Sequence, residues 1–158
     1  AYMSKRKVRW GAGLCVILAA IAAVCVAVAA ERRDPYEETL IAYVEALKIG
    51  TEEAVQYAEF PNEDLRLAFC HSSSRIVDYE VESSEKINNS LWLYTMLIQD
   101  NMYGEVYRRI YYFVGHIDDR YVVYGNASFI PEDLRGDFDI APYLYTSEDT
   151  LGVPETTS

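Results

Sequence analysis

Residues 11–30, GAGLCVILAAIAAVCVAVAA, form a run of 20 residues without a charged or strongly polar side chain. As an α-helix rising about 1.5 Å per residue, such a run spans the ~30 Å hydrocarbon core of a bilayer. Inside a soluble domain the same helix would need apolar neighbours on every side, which a chain of 158 residues can hardly supply. The run therefore predicts a membrane segment, and the reading of a globular fold begins after it.

The flanks predict its orientation. Lys5, Arg6, Lys7 and Arg9 precede the run with no acid among them, whereas Arg32 and Arg33 are bracketed by Glu31 and Asp34. By the positive-inside rule residues 1–10 stay in the cytoplasm and residues 31–158 cross to the far side. Ala27-Val28-Ala29 also has the small-x-small form that signal peptidase accepts. Two outcomes stay open: an uncleaved anchor, giving a single-pass protein of the cell membrane, and a cleaved signal, giving a secreted one. A lipid anchor asks for a small residue before the modified cysteine, and Leu14 before Cys15 and Val24 before Cys25 both fail that test.

Charge excludes one class of partner. All 25 acidic residues lie after position 30, against ten of the 14 Lys and Arg, so residues 31–158 carry a net −15. A domain this acidic repels phosphate backbones, and nucleic-acid binding is not expected. Cys70 is the only thiol beyond Cys25. No disulfide can form within the domain, and Cys70 is expected to be buried as a small hydrophobe, with intermolecular pairing as the alternative.

Asp34-Pro35-x-Glu37 reads as a helix start: a capping carboxylate, a proline where its missing N–H costs nothing, and a glutamate able to reach back. Leu40, Ile41, Val44 and Leu47 then share a stripe, and Gly50 closes the helix. A second helix opens at Thr51-Glu52-Glu53, turns Ala54, Val55 and Ala58 inward and stops at Pro61; Asn62-Glu63-Asp64 caps a third through Leu65, Ala68 and Phe69. After Ser72-Ser73-Ser74 the period falls to two, with Val77, Tyr79 and Val81 on one face and Asp78, Glu80 and Glu82 on the other. Asn88-Asn89 reads as a turn, and Leu91 to Ile98 as a strand apolar on both faces, hence covered on both. Strands over Glu105–Ile117 and Tyr121–Ile130, joined at Asp118-Asp119, read as a long hairpin. From Pro131 the signals fade, and residues 141–158 read as a tail, flexible at its end. The expectation is an α+β domain over residues 31–140, about three helices packed on a curved antiparallel sheet.

This order of elements, from Asp34-Pro35 through the helical pair of Glu52–Phe69 to the strands that close on Asp118-Asp119, resembles the nuclear transport factor 2-like (cystatin-like cone) superfamily over residues 35–131. Membrane-anchored, it is similar to small bacterial extracytoplasmic members and to bitopic scaffold subunits of conjugation and secretion machines. The resemblance implies a cone whose sheet and first helix enclose a pocket, used by some members for isomerase or cyclase chemistry and by others for binding or assembly.

Alternation places Tyr107, Arg109, Tyr111 and Phe113 on one side of their strand, an arginine among three aromatics. With Tyr94 and Tyr124, the residues Tyr107, Arg109 and Tyr111 are the candidate ligand-binding groups, a forked donor and phenol rings suited to an anionic or aromatic ligand. The same residues also suit an exposed strand face, where rings stack and Arg pairs with a nearby acid. No metal is expected: His71 and His116 lack an i, i+4 partner or a Cys pair, and the acids Asp78, Glu80, Glu82 and Glu85 lack the glycine turn of a calcium loop. With no glycine-rich phosphate loop, nucleophile elbow or CxxC, no cofactor is expected either. Asn88-Asn89-Ser90 and Asn126-Ala127-Ser128 match the N-glycosylation pattern, which matters only in a eukaryotic secretory pathway. The chain reads as a noncatalytic extracytoplasmic domain that binds a protein partner, itself or a small ligand, with a small isomerase- or cyclase-like enzyme as the alternative.

Overall fold

A computed structural model describes residues 34–144. From Pro35 on, the described residues belong to one compact unit, and the expected membrane segment at 11–30 and the end of the tail lie outside the described residues. Among the described residues no helix is long and apolar enough to cross a membrane.

Helix α1 spans Pro35–Ile49, with Glu37 and Glu38 in its first turn and Lys48 in its last, each opposing the helix dipole. Thr39 Oγ1 donates back to Pro35 O at 2.9 Å. Its inward stripe is Tyr36, Leu40, Tyr43, Val44, Ala46 and Leu47, wider and more aromatic than the expected one, with Ile41 at the margin. Gly50 N–H closes the helix on Ala46 O. Helix α2, Thr51–Ala54, passes into a 3-10 turn at Val55–Tyr57. The expected run to Pro61 is cut short because Ala58 bridges Val123 and Glu59 N–H donates to Val123 O, which holds the backbone extended. Helix α3, Glu63–Cys70, is capped by Asn62, whose side chain accepts from Leu65 N–H at 3.0 Å. The core face expected of it does not form: α3 has no buried residue, Leu65 and Leu67 are exposed, and of its apolar side chains Phe69 and Cys70 alone are half-buried.

Strands β1 (Ile76–Asn88), β2 (Leu91–Asp100), β3 (Tyr107–Ile117) and β4 (Arg120–Tyr124) form one antiparallel sheet in sequence order. Asn88 Oδ1 accepts from Ser90 N–H at 2.8 Å and tightens the first turn. Asp118 and Asp119 both take positive φ, 47° and 60°, the twist a two-residue hairpin needs and one that aspartate tolerates better than most residues. Strand β1 runs beyond its expected end but slips register at three places, which bends it. Strand β4 ends at Tyr124, not Ile130. Asn126 Oδ1 accepts from both Ser128 N–H and Ser128 Oγ, and turns the chain into a 3-10 turn at Ala127–Phe129.

Strand β2 alternates between two cores, as its doubly apolar sequence requires. Tyr94, Met96 and Ile98 join α1 with Tyr112, Val114 and Val123. Leu91 and Leu93 join Phe113, Val122 and Tyr124 on the opposite face. That second face is covered by helix α4 (Glu132–Arg135), the 3-10 turn Ala141–Tyr143 and the chain between them, through Leu134, Phe138, Ile140 and Tyr143. The packed domain therefore continues past the expected boundary at 140. Gly115 makes the closure possible: a Cβ there would come within 2.7 Å of Leu134 Cδ2 and 2.9 Å of Tyr124 Cε2. Asn88 Nδ2 donates to Leu134 O at 2.9 Å, so the first glycosylation asparagine is engaged in packing.

Candidate functional site

A cavity of about 420 Å³ lies between the second half of α1, the α2–α3 segment and the α1-facing side of the sheet. Tyr43, Phe60, Phe69, Tyr112 and Phe129 supply aromatic wall, Leu47, Ile76, Ile98 and Ile110 the aliphatic part. Tyr43 meets Tyr112 edge-on at 5.5 Å and stacks on Phe69 at 6.4 Å. The aromatic side is thus a connected set whose rings hold one another in place. A second, polar depression of about 770 Å³ adjoins it, and the two share Thr51, Ser72 and Ser74. Thr51 is buried, and its hydroxyl bonds Cys70 O (3.1 Å) and Ser72 O (3.0 Å), which ties the start of α2 to the end of α3.

One charge pair stands in the cavity wall. Asp100 closes β2 and Arg108 opens β3, so the loop between the strands brings them together. The Asp100 side chain is only 6% exposed and Arg108 23%. Asp100 Oδ1 accepts from Met102 N–H (2.9 Å) and Tyr103 N–H (3.1 Å), while Oδ2 accepts from Arg108 Nη2. The Tyr103 ring covers the guanidinium at 3.9 Å. Arg108 Nε is buried and meets no acceptor among the described residues. Neither histidine lines the cavity: His116 stacks on Tyr121 at 4.5 Å, and His71 ends α3 with its N–H on Leu67 O.

The five residues expected to bind a ligand do not come together there. Tyr94 is buried in the α1-side core, stacked on Trp92 at 6.3 Å. Tyr107, Arg109 and Tyr111 do share a face with Phe113, as alternation requires, but it is the face turned away from α1. Along that face the row runs from solvent into the second core. Tyr107 is exposed and donates to Asp78. That bond is the main reason the Asp78 carboxyl is held below its usual range and the Tyr107 phenol is pushed up. Arg109 is 55% exposed and bidentate on Glu82 at 2.8 and 2.7 Å, not a charge inside a pocket. Tyr111 packs edge-on against Tyr143 at 5.1 Å, and Tyr124 is fully buried. Asp100 and Arg108, the pair that does line the cavity, escaped the sequence reading. Its signal is a lone acid ending an otherwise apolar strand, answered by a basic residue just across the next loop.

The Tyr124 hydroxyl has no hydrogen-bond partner among the described residues, and burial pushes its pKa up to about 12. Because the folded phenol keeps its proton where the unfolded one loses it, this contribution to stability is intact below about pH 10 and is lost as pH rises toward 12. Tyr124→Phe is expected to leave neutral-pH stability unchanged or raise it by up to about 1 kcal/mol, since no bond is lost. It should also weaken the alkaline decline, and chemical denaturation at pH 7 and pH 10.5 checks both expectations.

No family model, no curated protein and no solved structure matches this chain.

Proposed function

We propose that the chain is a noncatalytic, membrane-anchored extracytoplasmic binding domain, held by residues 11–30 with its N-terminus in the cytoplasm. The observation that carries this reading is the chemistry of the cavity. Among the described residues its one carboxylate, Asp100, has both oxygens engaged, and no histidine, cysteine or second acid lines it. An isomerase or cyclase needs a free acid or base positioned on its substrate, so this wall supports holding a molecule over converting it. A helix laid across one face of an antiparallel sheet around an aromatic cavity also supports membership of the nuclear transport factor 2-like superfamily, with its cone. An alkaline phosphatase fused after Ser158 is expected to be active in a bacterial host and a cytoplasm-restricted reporter silent; the reverse would overturn the topology.

Assembly with a protein partner, as in a scaffold of a secretion or conjugation machine, is a second reading favoured by a separate observation. Val77, Met102, Tyr103, Val106 and Tyr107 are all exposed at the β2–β3 end of the sheet. Exposed apolar residues gathered in this way mark interaction surfaces more often than isolated ones do. A benzophenone amino acid at Met102 should give discrete adducts in intact cells, and the same group at Asp119, on the opposite hairpin, should not. Equal adducts at both positions, or none at Met102, would remove this reading.

A further inference from the structure

We infer that the outer edge of β1 is a docking site for an extended, lysine- or arginine-bearing segment of a partner protein, which adds to the sheet as one more strand. The inference rests on the assembly reading and names the edge and the chemistry by which the partner is held.

The two edges of the sheet differ. Strand β4 is covered at Val123, which Ala58 bridges and whose carbonyl accepts from Glu59 N–H. Strand β1 pairs with β2 alone, and no backbone bond among the described residues reaches its other side. Its 13 residues therefore turn a row of N–H and C=O groups to solvent, which is what an added strand pairs with. Val77, Glu82 and Ile87 fall outside the register with β2. They leave two regular runs, 78–81 and 83–86, and the added segment follows the bend between them. Charge then selects the segment. By register Glu80 lies in one row with Leu97 and Arg109, and Glu85 in one row with Leu93 and Phe113, so both acids share the face turned away from α1. On that face Asp78 is engaged by Tyr107 and Glu82 by Arg109. Glu80 and Glu85 are exposed and have no ion-pair partner among the described residues. The one base of β1, Lys86, belongs to the other face, in the row of Trp92. A strand laid along this edge brings its side chains beside Glu80 and Glu85, where Lys or Arg is favoured and an acid is not. Pairing with the β1 of a second copy would crowd acids together, so the same charges that guard against self-association admit a basic strand. The net −15 of residues 31–158 acts in the same direction over a longer range. Val77 and Tyr107, exposed at the start of the edge, offer apolar contact to one end of the segment.

The test uses the full-length chain in detergent micelles and a short fluorescent peptide of alternating valine and lysine, with binding read by anisotropy. This peptide is expected to bind, and its valine–glutamate counterpart to bind about tenfold more weakly or less. Glu80→Lys combined with Glu85→Lys should reverse that order with the circular dichroism spectrum unchanged. Methylating the backbone nitrogens of the lysine peptide keeps its charge and removes its N–H donors, and should abolish binding. Amide hydrogen exchange over residues 78–86 should slow several-fold when the lysine peptide is bound. No binding, equal binding of the two peptides, retention of the methylated one, or unchanged exchange in β1 would each overturn the inference. A benzophenone amino acid at Ser84, exposed on this edge, separates it from the reading it rests on. Adducts in intact cells at Met102 with none at Ser84 would overturn the edge and leave the assembly reading standing, whereas adducts at neither would remove both. Adducts at Ser84 that join two copies of the chain would overturn the basic partner in favour of self-pairing.

Discussion

Arg108→Met is expected to lower the unfolding free energy by about 3 kcal/mol, and Arg109→Met by less than about 0.5 kcal/mol, although the two residues are adjacent. Removing the Arg108 guanidinium strands the Asp100 carboxylate, only 6% exposed, with two backbone donors and no counter-charge. It also removes the guanidinium that the Tyr103 ring covers. Arg109 faces water with Glu82, and its bidentate pair is largely screened there. Urea denaturation of the two full-length variants, followed by tryptophan fluorescence, measures the difference. Equal losses would mean that the Asp100–Arg108 pair does not hold this end of the sheet.

A chain ending at Ile130 is expected to lose cooperative unfolding. Leu134, Phe138, Ile140 and Tyr143 pack over Leu91, Leu93, Phe113 and Tyr124. At roughly 1 kcal/mol or more for each covering side chain, their removal costs about 4 kcal/mol, a large share of what a single domain has. It also leaves Phe113 and Leu93, buried in the whole domain, facing solvent. Limited proteolysis and urea denaturation should show early cleavage and a broad transition. An unchanged midpoint would mean that the second core does not need its cover.

How much of this was legible in the chain depended on whether the cause was local. Helix α1 follows from Pro35, its apolar stripe and Gly50, all within one element. The two hairpins follow from Asn88-Asn89 and Asp118-Asp119, and the covered faces of β2 from its unbroken apolar run. The misreadings have non-local causes. Ala58 and Glu59 leave the helix because β4 offers them a partner, which no window of sequence around them contains. Leu134, Phe138, Ile140 and Tyr143 have no regular period, and only the exposed face of the sheet gives them a place. Leu65 reads as core because it is apolar on a capped helix, yet little packs against α3 and it stays exposed.

The candidate site shows the same division more sharply. Alternation grouped Tyr107, Arg109, Tyr111 and Phe113 on the same side, but Tyr111-Tyr112-Phe113 is aromatic on both faces, so nothing local says which face meets α1. The side chains one position over, Arg108, Ile110 and Tyr112, line the cavity. A shift by one residue exchanges the faces of a strand completely, and here it exchanges an exposed ion pair for a half-buried one.

The proposed function requires that the chain bind in the cavity under α1 and release what it binds unchanged. Native mass spectrometry of the full-length chain taken directly from its own membrane, alongside Ile110→Trp prepared in the same way, tests it most directly. The predicted result is a small-molecule adduct on the wild-type chain that dissociates with its mass intact and is missing from the folded variant. An adduct of equal abundance on both chains, or none on the wild type, would contradict it.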